Sequence, residues 1–228
     1  MRILIVSATA LEIKSFVSHP IEFGRPFPVP ISNEHQTNFL ITGIGAVPTA
    51  FHLAMFAKEY DFILNIGIAG SYNSKYGVGQ VVAVKQDAFG DYGIDDNGVF
   101  VSLSNAGLMD KRFSISNDEI SNSLYTNPSI VSVPWVDGIT LGTASGSLNS
   151  INHQKKVWNP DIETMECAAV FYSCILLNKP FLCLRAISNM VEPRNKNSWK
   201  IQEALLNLHH EVLVLLGSID TDDFFTFC

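Results

Sequence analysis

Two carboxylates and one amide stand where a chain of this kind can do chemistry. Glu12 falls one turn into an expected helix, close to the end of the opening apolar run, so its carboxylate can face a ligand and accept a proton from water. An acidic residue in a first helical turn also suits the helix dipole without any ligand. Glu166 follows Met165 at the entrance of an apolar helix reading Cys-Ala-Ala-Val-Phe-Tyr. A carboxylate there can take both protons of a vicinal diol such as a ribose presents, and helix capping is the competing account. Asn189 closes the run Arg185-Ala186-Ile187-Ser188-Asn189, where apolar residues give way abruptly to polar ones. Its amide can meet a ligand, or it can shape a turn ahead of Pro193.

Two glycine-rich stretches accompany these groups. Asn65-Ile66-Gly67-Ile68-Ala69-Gly70-Ser71 is small enough at a strand's end for a flat ring or a sugar to approach the backbone, and equally suits a sharp connection. No Lys follows Gly70 and no Gly-Lys-Ser/Thr occurs, so a triphosphate loop is excluded. Gly43-Ile44-Gly45 begins like a dinucleotide fingerprint, but Pro48 occupies the third glycine position. A tight strand-to-helix turn explains those residues without NAD.

The elements that must position these groups alternate in type. Strand patterns fall at Arg2 to Val6, Asn38 to Thr42, Phe62 to Asn65, Gln80 to Lys85 and Phe181 to Ile187. Helical spacing falls at Ala10 to Val17, Val47 to Glu59, Glu166 to Leu177 and Ser198 to Leu216. The alternation predicts an α/β fold, a parallel or mixed sheet with helices on both faces and its ligand site at the carboxyl ends of the strands. Ser102 to Val133 is rich in Ser and Asn and reads as a peripheral excursion. A chain of 228 residues suits one domain spanning residues 1–228.

Composition narrows the partners. Charged residues make up 16% and hydrophobic residues 47%, an apolar excess that a subunit interface can bury. A formal charge of −7 argues against nucleic acid and leaves a small molecule as the expected ligand. No run reaches the roughly 20 apolar residues of a membrane span, and no signal-peptide pattern opens the chain, so a cytoplasmic location is expected. Cys167, Cys174, Cys183 and Cys228 lack metal spacing and read as reduced core residues.

In this order and spacing, five segments resemble the nucleoside phosphorylase and nucleosidase superfamily: RILIVSATALEI, ITGIGAVPTA, LNIGIAGSYNSKYGVGQVV, DIETMECAAVFYSC and RAISNMVEPRN. The similarity is to the branch holding methylthioadenosine/S-adenosylhomocysteine nucleosidase and futalosine hydrolase, and it spans nearly the whole chain. It implies a three-layer αβα fold around a central mixed sheet, a homodimer, and no metal or organic cofactor. It also implies roles: Glu12 activates water, Glu166 embraces the ribose hydroxyls, Met165 packs on the sugar, and the backbone around Ile68, Ala69 and Gly70 lines purine and ribose. Asn189 stands where the nucleosidases carry a catalytic Asp.

That departure bears on the substrate. An Asp suits adenine, accepting from the 6-amino group and donating to N7 when protonated, whereas Asn donates to O6 or N7 of a 6-oxopurine. DYGIDDNGVF and NMVEPRNKNSW resemble the futalosine-cleaving relatives in the same way. The resemblance therefore implies hydrolysis of futalosine to hypoxanthine and dehypoxanthine futalosine, in menaquinone biosynthesis, with Arg194 as the partner of the substrate's benzoate by charge alone. A nucleosidase for methylthioadenosine or aminodeoxyfutalosine, and a nucleoside-binding protein without catalysis, are the alternatives.

Overall fold

The computed structural model describes residues 1–17, 21–32, 34–108, 120–126 and 130–219. Its frame is a mixed sheet built from β1 (Arg2–Ser7), β2 (Phe27–Pro28), β3 (Gln36–Ile41), β4 (Phe62–Ser71), β5 (Val81–Asp87), and later β8 (Ile120–Ser121), β9 (Trp135–Thr140), β10 (Ile162–Thr164) and β11 (Phe181–Met190). A separate hairpin, β6 (Gly93–Asp96) and β7 (Val99–Ser102), stands apart from it. The strand order is β10-β9-β5-β11-β4-β1-β3-β2, with β8 paired to β5. Because β10 runs parallel to β9 and antiparallel to the end of β4, the sheet curls back on itself. The ring β4-β11-β5-β9-β10 is thereby closed, a curvature the alternation of elements does not predict.

The helices are α1 (Ala10–Ile13), α2 (Ala46–Phe56), α3 (Leu148–Val157), α4 (Cys167–Leu176) and α5 (Ile201–Leu216). Side chains alternate across a strand, so each central strand serves two cores. Ile3, Ile5, Leu64, Leu182 and Leu184 join Ala204, Leu208 and Val212 of α5 in one. Leu4, Val6, Ile63 and Cys183 join Leu53 of α2 and Val170, Phe171 and Cys174 of α4 in the other. Cys167, Cys174 and Cys183 are buried and unbridged, and Cys228 lies outside the described residues. No helix among the described residues is long and apolar enough to cross a membrane.

Several boundaries differ from expectation for physical reasons. The first helix is one turn rather than Ala10 to Val17: Lys14 and Ser15 are already exposed, while Phe16 turns back onto Phe39 of β3. The glycine-rich stretch is not a loop after a short strand: β4 runs unbroken to Ser71, held by β11 on one side and β10 on the other. The last core strand likewise extends through Asn189 to Met190, with a register shift between Ile187 and Asn189. The excursion from Ser102 to Val133 is not wholly peripheral. Its β8 joins the main sheet, and Ile120 and Leu124 are buried, while residues 109–119 and 127–129 lie outside the described residues. Helix α3 and strands β9 and β10 fall where no element is expected, since their patterns are short and interrupted by polar residues.

Candidate active site

A cavity of about 310 Å³ opens at the carboxyl ends of β1, β4, β10 and β11. Glu12, Ile68, Ala69, Gly70, Met165, Glu166, Asn189 and Arg194 all line it. Residues scattered over most of the chain thus meet because parallel strands end at one edge, where each following turn must cross the sheet's rim.

Glu12 is buried and its carboxylate is held from two directions. The backbone N–H and hydroxyl of Thr9 donate to Oε2 at 2.9 and 3.0 Å, and the N–H of Ile68 donates to Oε1 at 3.3 Å. Thr9 and Glu12 form a capping box, a Thr-x-x-Glu signature already visible in the sequence and missed there. The Ile68 amide is thus engaged by Glu12, while the residue itself lines the cavity beside Ala69 and Gly70. A Cβ on Gly67 would lie 2.8 Å from Glu12 Oε1, so the carboxylate occupies space that any other residue would fill.

Glu166 is the N-cap residue of α4, so the helix begins one position later than expected, and its side chain makes no capping bond to that helix. Instead Oε1 accepts the N–H of Gly45 at 2.9 Å. The carboxylate thus leans away from its own helix into the cavity. Burial pushes its pKa up, and the Arg185 guanidinium pulls against that shift. Arg185 is itself fully buried beneath the site, donating to Asn65 and Leu184 carbonyl oxygens and to Asn65 Oδ1. Sequence reasoning treated Arg185 only as part of a strand, although a lone cation in an apolar run is a signal for a buried charge with partners.

Asn189 sits in the final pleat of β11, not in a turn. Its Oδ1 accepts from the Ser188 hydroxyl at 2.8 Å and its Nδ2 donates to Met190 O at 3.0 Å, which leaves one amide hydrogen over. Met165 is half-buried on the wall, and Arg194 is exposed at the mouth with its guanidinium 5.6 Å from the Trp199 ring centre. A further carboxylate, Glu163, lines the same wall with Ser145 and is held by the Tyr72 hydroxyl. The sequence places Glu163 only at a helix entrance, because the short β10 that carries it has no readable pattern.

Four carboxylates (Glu12, Glu163, Glu166 and Glu192) and one exposed arginine line the cavity. The lining is thus richer in acidic than in basic side chains, with buried Arg185 as a counter-charge to Glu166 and Glu12, and it suits a ligand rich in hydroxyl and N–H donors. Among the described residues no group of three His, Cys, Asp or Glu has metal-binding spacing.

Comparison with known proteins identifies the family and the fold. The pattern that defines the Phosphorylase superfamily matches residues 2–215. Futalosine hydrolase of Thermus thermophilus is 27% identical over 188 residues, covering 78% of this chain and 80% of its own. Futalosine hydrolase of Acidothermus cellulolyticus is 25% identical over 221 residues, covering 93% and 89%. Among solved structures, the 5′-methylthioadenosine/S-adenosylhomocysteine nucleosidase of Colwellia psychrerythraea in complex with adenine superposes with a TM-score of 0.76 at 17% identity, covering 95% of both chains.

Proposed function

The chain belongs to the phosphorylase superfamily, and from that premise we propose that it is a cytoplasmic N-glycosyl hydrolase acting on a purine nucleoside, with futalosine as substrate. The observation that carries the reading is the convergence of Glu12, Glu166 and Asn189 on one cavity. The names of the two curated relatives point the same way.

Cleavage of the C1′–N9 bond builds positive charge on the ribose and leaves the bonding pair on the base. Glu166, fixed by the Gly45 N–H, holds the 2′ and 3′ hydroxyls and sets its anion beside the sugar. Glu12, fixed by Thr9 and Ile68, orients water toward C1′ and takes its proton. Met165 packs on the sugar, while Ala69 and Gly70 shape the wall behind it. The remaining amide hydrogen of Asn189 is directed at O6 or N7 of the departing hypoxanthine; Glu12 releases the proton taken from the attacking water to solvent, and the base takes one from solvent to return to its neutral form. Arg194 at the mouth meets the benzoate of the 5′ arm.

Hydrolysis is favoured over phosphorolysis because four carboxylates surround the cavity and its single lining arginine is exposed, which opposes a bound phosphate. A homodimer is part of the reading. Ile44 on the cavity wall continues into Val47, Phe51 and Met55, all more than half exposed along α2. That apolar stripe suits a second copy packed beside the site.

The test is a product assay with futalosine, aminodeoxyfutalosine and methylthioadenosine, with and without added phosphate. Release of hypoxanthine from futalosine, independent of phosphate, is the expected outcome. Preferential release of adenine from methylthioadenosine overturns the substrate, and no base release from any of them overturns the hydrolase reading.

A further inference from the structure

Glu166 occupies the N-cap position of α4, where the free N–H groups of a helix draw an acidic side chain onto themselves. Its carboxylate is nonetheless turned away, toward the Gly45 N–H and the cavity. Other groups satisfy the start of the helix. The Ala168 N–H donates to the Thr140 hydroxyl oxygen at 2.8 Å, and the Cys167 N–H to the Thr164 hydroxyl oxygen at 3.3 Å. The Ala169 N–H donates to the Glu166 carbonyl oxygen at 2.9 Å. Each of the first three N–H groups inside α4 thus has a partner, and none of those partners is the Glu166 carboxylate.

The two hydroxyls come from outside the helix. Thr140 ends β9 and Thr164 ends β10, and the two are register partners in parallel strands, so their side chains emerge side by side on one face of the sheet. Both are buried, and their hydroxyl oxygens lie 3.2 Å apart. Thr140 donates its one hydrogen to Asp87 Oδ1 at 2.7 Å, which leaves its oxygen to accept from Ala168 and from Thr164. Asp87 ends β5 and is fully buried. Gly138, two residues before Thr140 on β9, leaves room for it, since a Cβ there would collide with Asp87 Oδ2. Three strand ends thus hold the two acceptors under the first turn of α4.

Neutral hydroxyls suit this duty. They satisfy the helix N–H groups without adding a charge, so the helix dipole still favours the Glu166 anion. Without them, the buried Cys167 and Ala168 N–H groups go unpaired, a cost that the adjoining Glu166 carboxylate can relieve by swinging back onto its own helix. We infer that Thr140, seconded by Thr164, is a positioning residue for Glu166: it caps α4 from a neighbouring strand and so keeps the Glu166 carboxylate in the cavity. The capping follows from the hydrogen bonds, and its consequence for a ribose rests on the nucleoside reading above.

A double-mutant cycle tests this role. Folding stability is measured by urea unfolding in wild type, Thr140→Val, Glu166→Ala and the double variant, with Thr140→Ser as the variant that keeps the hydroxyl. In wild type the Glu166 carboxylate caps nothing, whereas in Thr140→Val it takes over the cap. Glu166→Ala should therefore cost about 2- to 30-fold more in the folding equilibrium constant in the Thr140→Val background than in wild type, the range for loss of an N-cap. In the Thr140→Ser background that difference should vanish. The second readout is kcat/KM for inosine over that for 2′-deoxyinosine, which reports the hold of Glu166 on the 2′ hydroxyl. The ratio should fall by roughly tenfold or more in Thr140→Val, the range for a hydrogen bond to a charged group, and return in Thr140→Ser. Should Thr140→Val not fold, Thr164→Val, which removes the longer of the two caps, takes its place in the cycle. Additive effects of the two substitutions on stability, or a uniform loss of activity with an unchanged ratio, reduce Thr140 to a structural residue and overturn the inference. A wild type that cleaves no purine nucleoside overturns the hydrolase reading instead, and the stability cycle still decides the capping.

Discussion

The backbone N–H of Gly45 donates to Oε1 of Glu166 at 2.9 Å, joining the turn before α2 to the start of α4 across 121 positions of sequence. Gly45 holds φ at +100° and ψ at 168°, a region open to glycine and closed to other residues. No atom lies within 4 Å of the place a Cβ would take, so Gly45→Ala costs backbone strain alone, about 1–3 kcal/mol. If the turn relaxes instead, its N–H swings away from Glu166. We expect lower stability in thermal melts together with a raised KM. A variant that loses stability yet keeps wild-type kinetics removes Gly45 from the positioning of Glu166.

Glu12→Gln should bind nucleoside normally and lose about 10²- to 10⁴-fold in kcat, because the amide keeps size and hydrogen bonding but takes no proton from water. Gly67→Ala provides the positional counterpart. Its methyl would meet Glu12 Oε1 at 2.8 Å and displace the carboxylate from the Ile68 N–H without touching the residue itself. Single-turnover rates with saturating substrate check both, and near-normal turnover in Glu12→Gln removes the assigned base.

Asn189→Asp sets an ionisable group on the cavity wall, where the proposed function puts the purine. An ionised Asp repels the developing negative charge on hypoxanthine, while a protonated fraction can donate to N7 of adenine. The ratio of kcat/KM for 6-oxopurine over 6-aminopurine nucleosides should fall, on the order of tenfold or more. A uniform loss with an unchanged ratio places Asn189 away from base discrimination.

Asp87 gives a pH prediction of definite sign. It is fully buried, its Oδ1 accepts the Thr140 hydroxyl at 2.7 Å, and its Oδ2 has no partner among the described residues. Burial, and then the nearby Cys167, push its pKa well above the ordinary carboxylate range. A carboxyl raised in the folded state contributes stability below its unfolded pKa and loses that contribution as pH rises through the folded value. Asp87→Asn has no such proton to lose. Its melting temperature should therefore fall less than that of wild type between about pH 5 and about pH 8. Equal slopes in the two proteins place the wild-type pH dependence elsewhere.

The α/β alternation, the mixed sheet with helices on both faces and the candidate groups Glu12, Glu166 and Asn189 were legible in the sequence. Apolar periodicity and abrupt polar breaks are local signals, carried within a dozen residues of each other. Whether Glu166 caps its helix or faces the cavity was not legible, because the deciding partner is the Gly45 amide from a distant turn. Asn189 likewise reads as a turn former until β11 is seen to extend through it. Glu163 was beyond reach for a stronger reason. Its place on the cavity wall comes from a three-residue strand that pairs with β4 only because the sheet curls into a ring, and curvature of a sheet is set by the packing of all its strands together. Local pattern thus determined which groups are available for chemistry, and only the closed sheet decided which of them stand side by side.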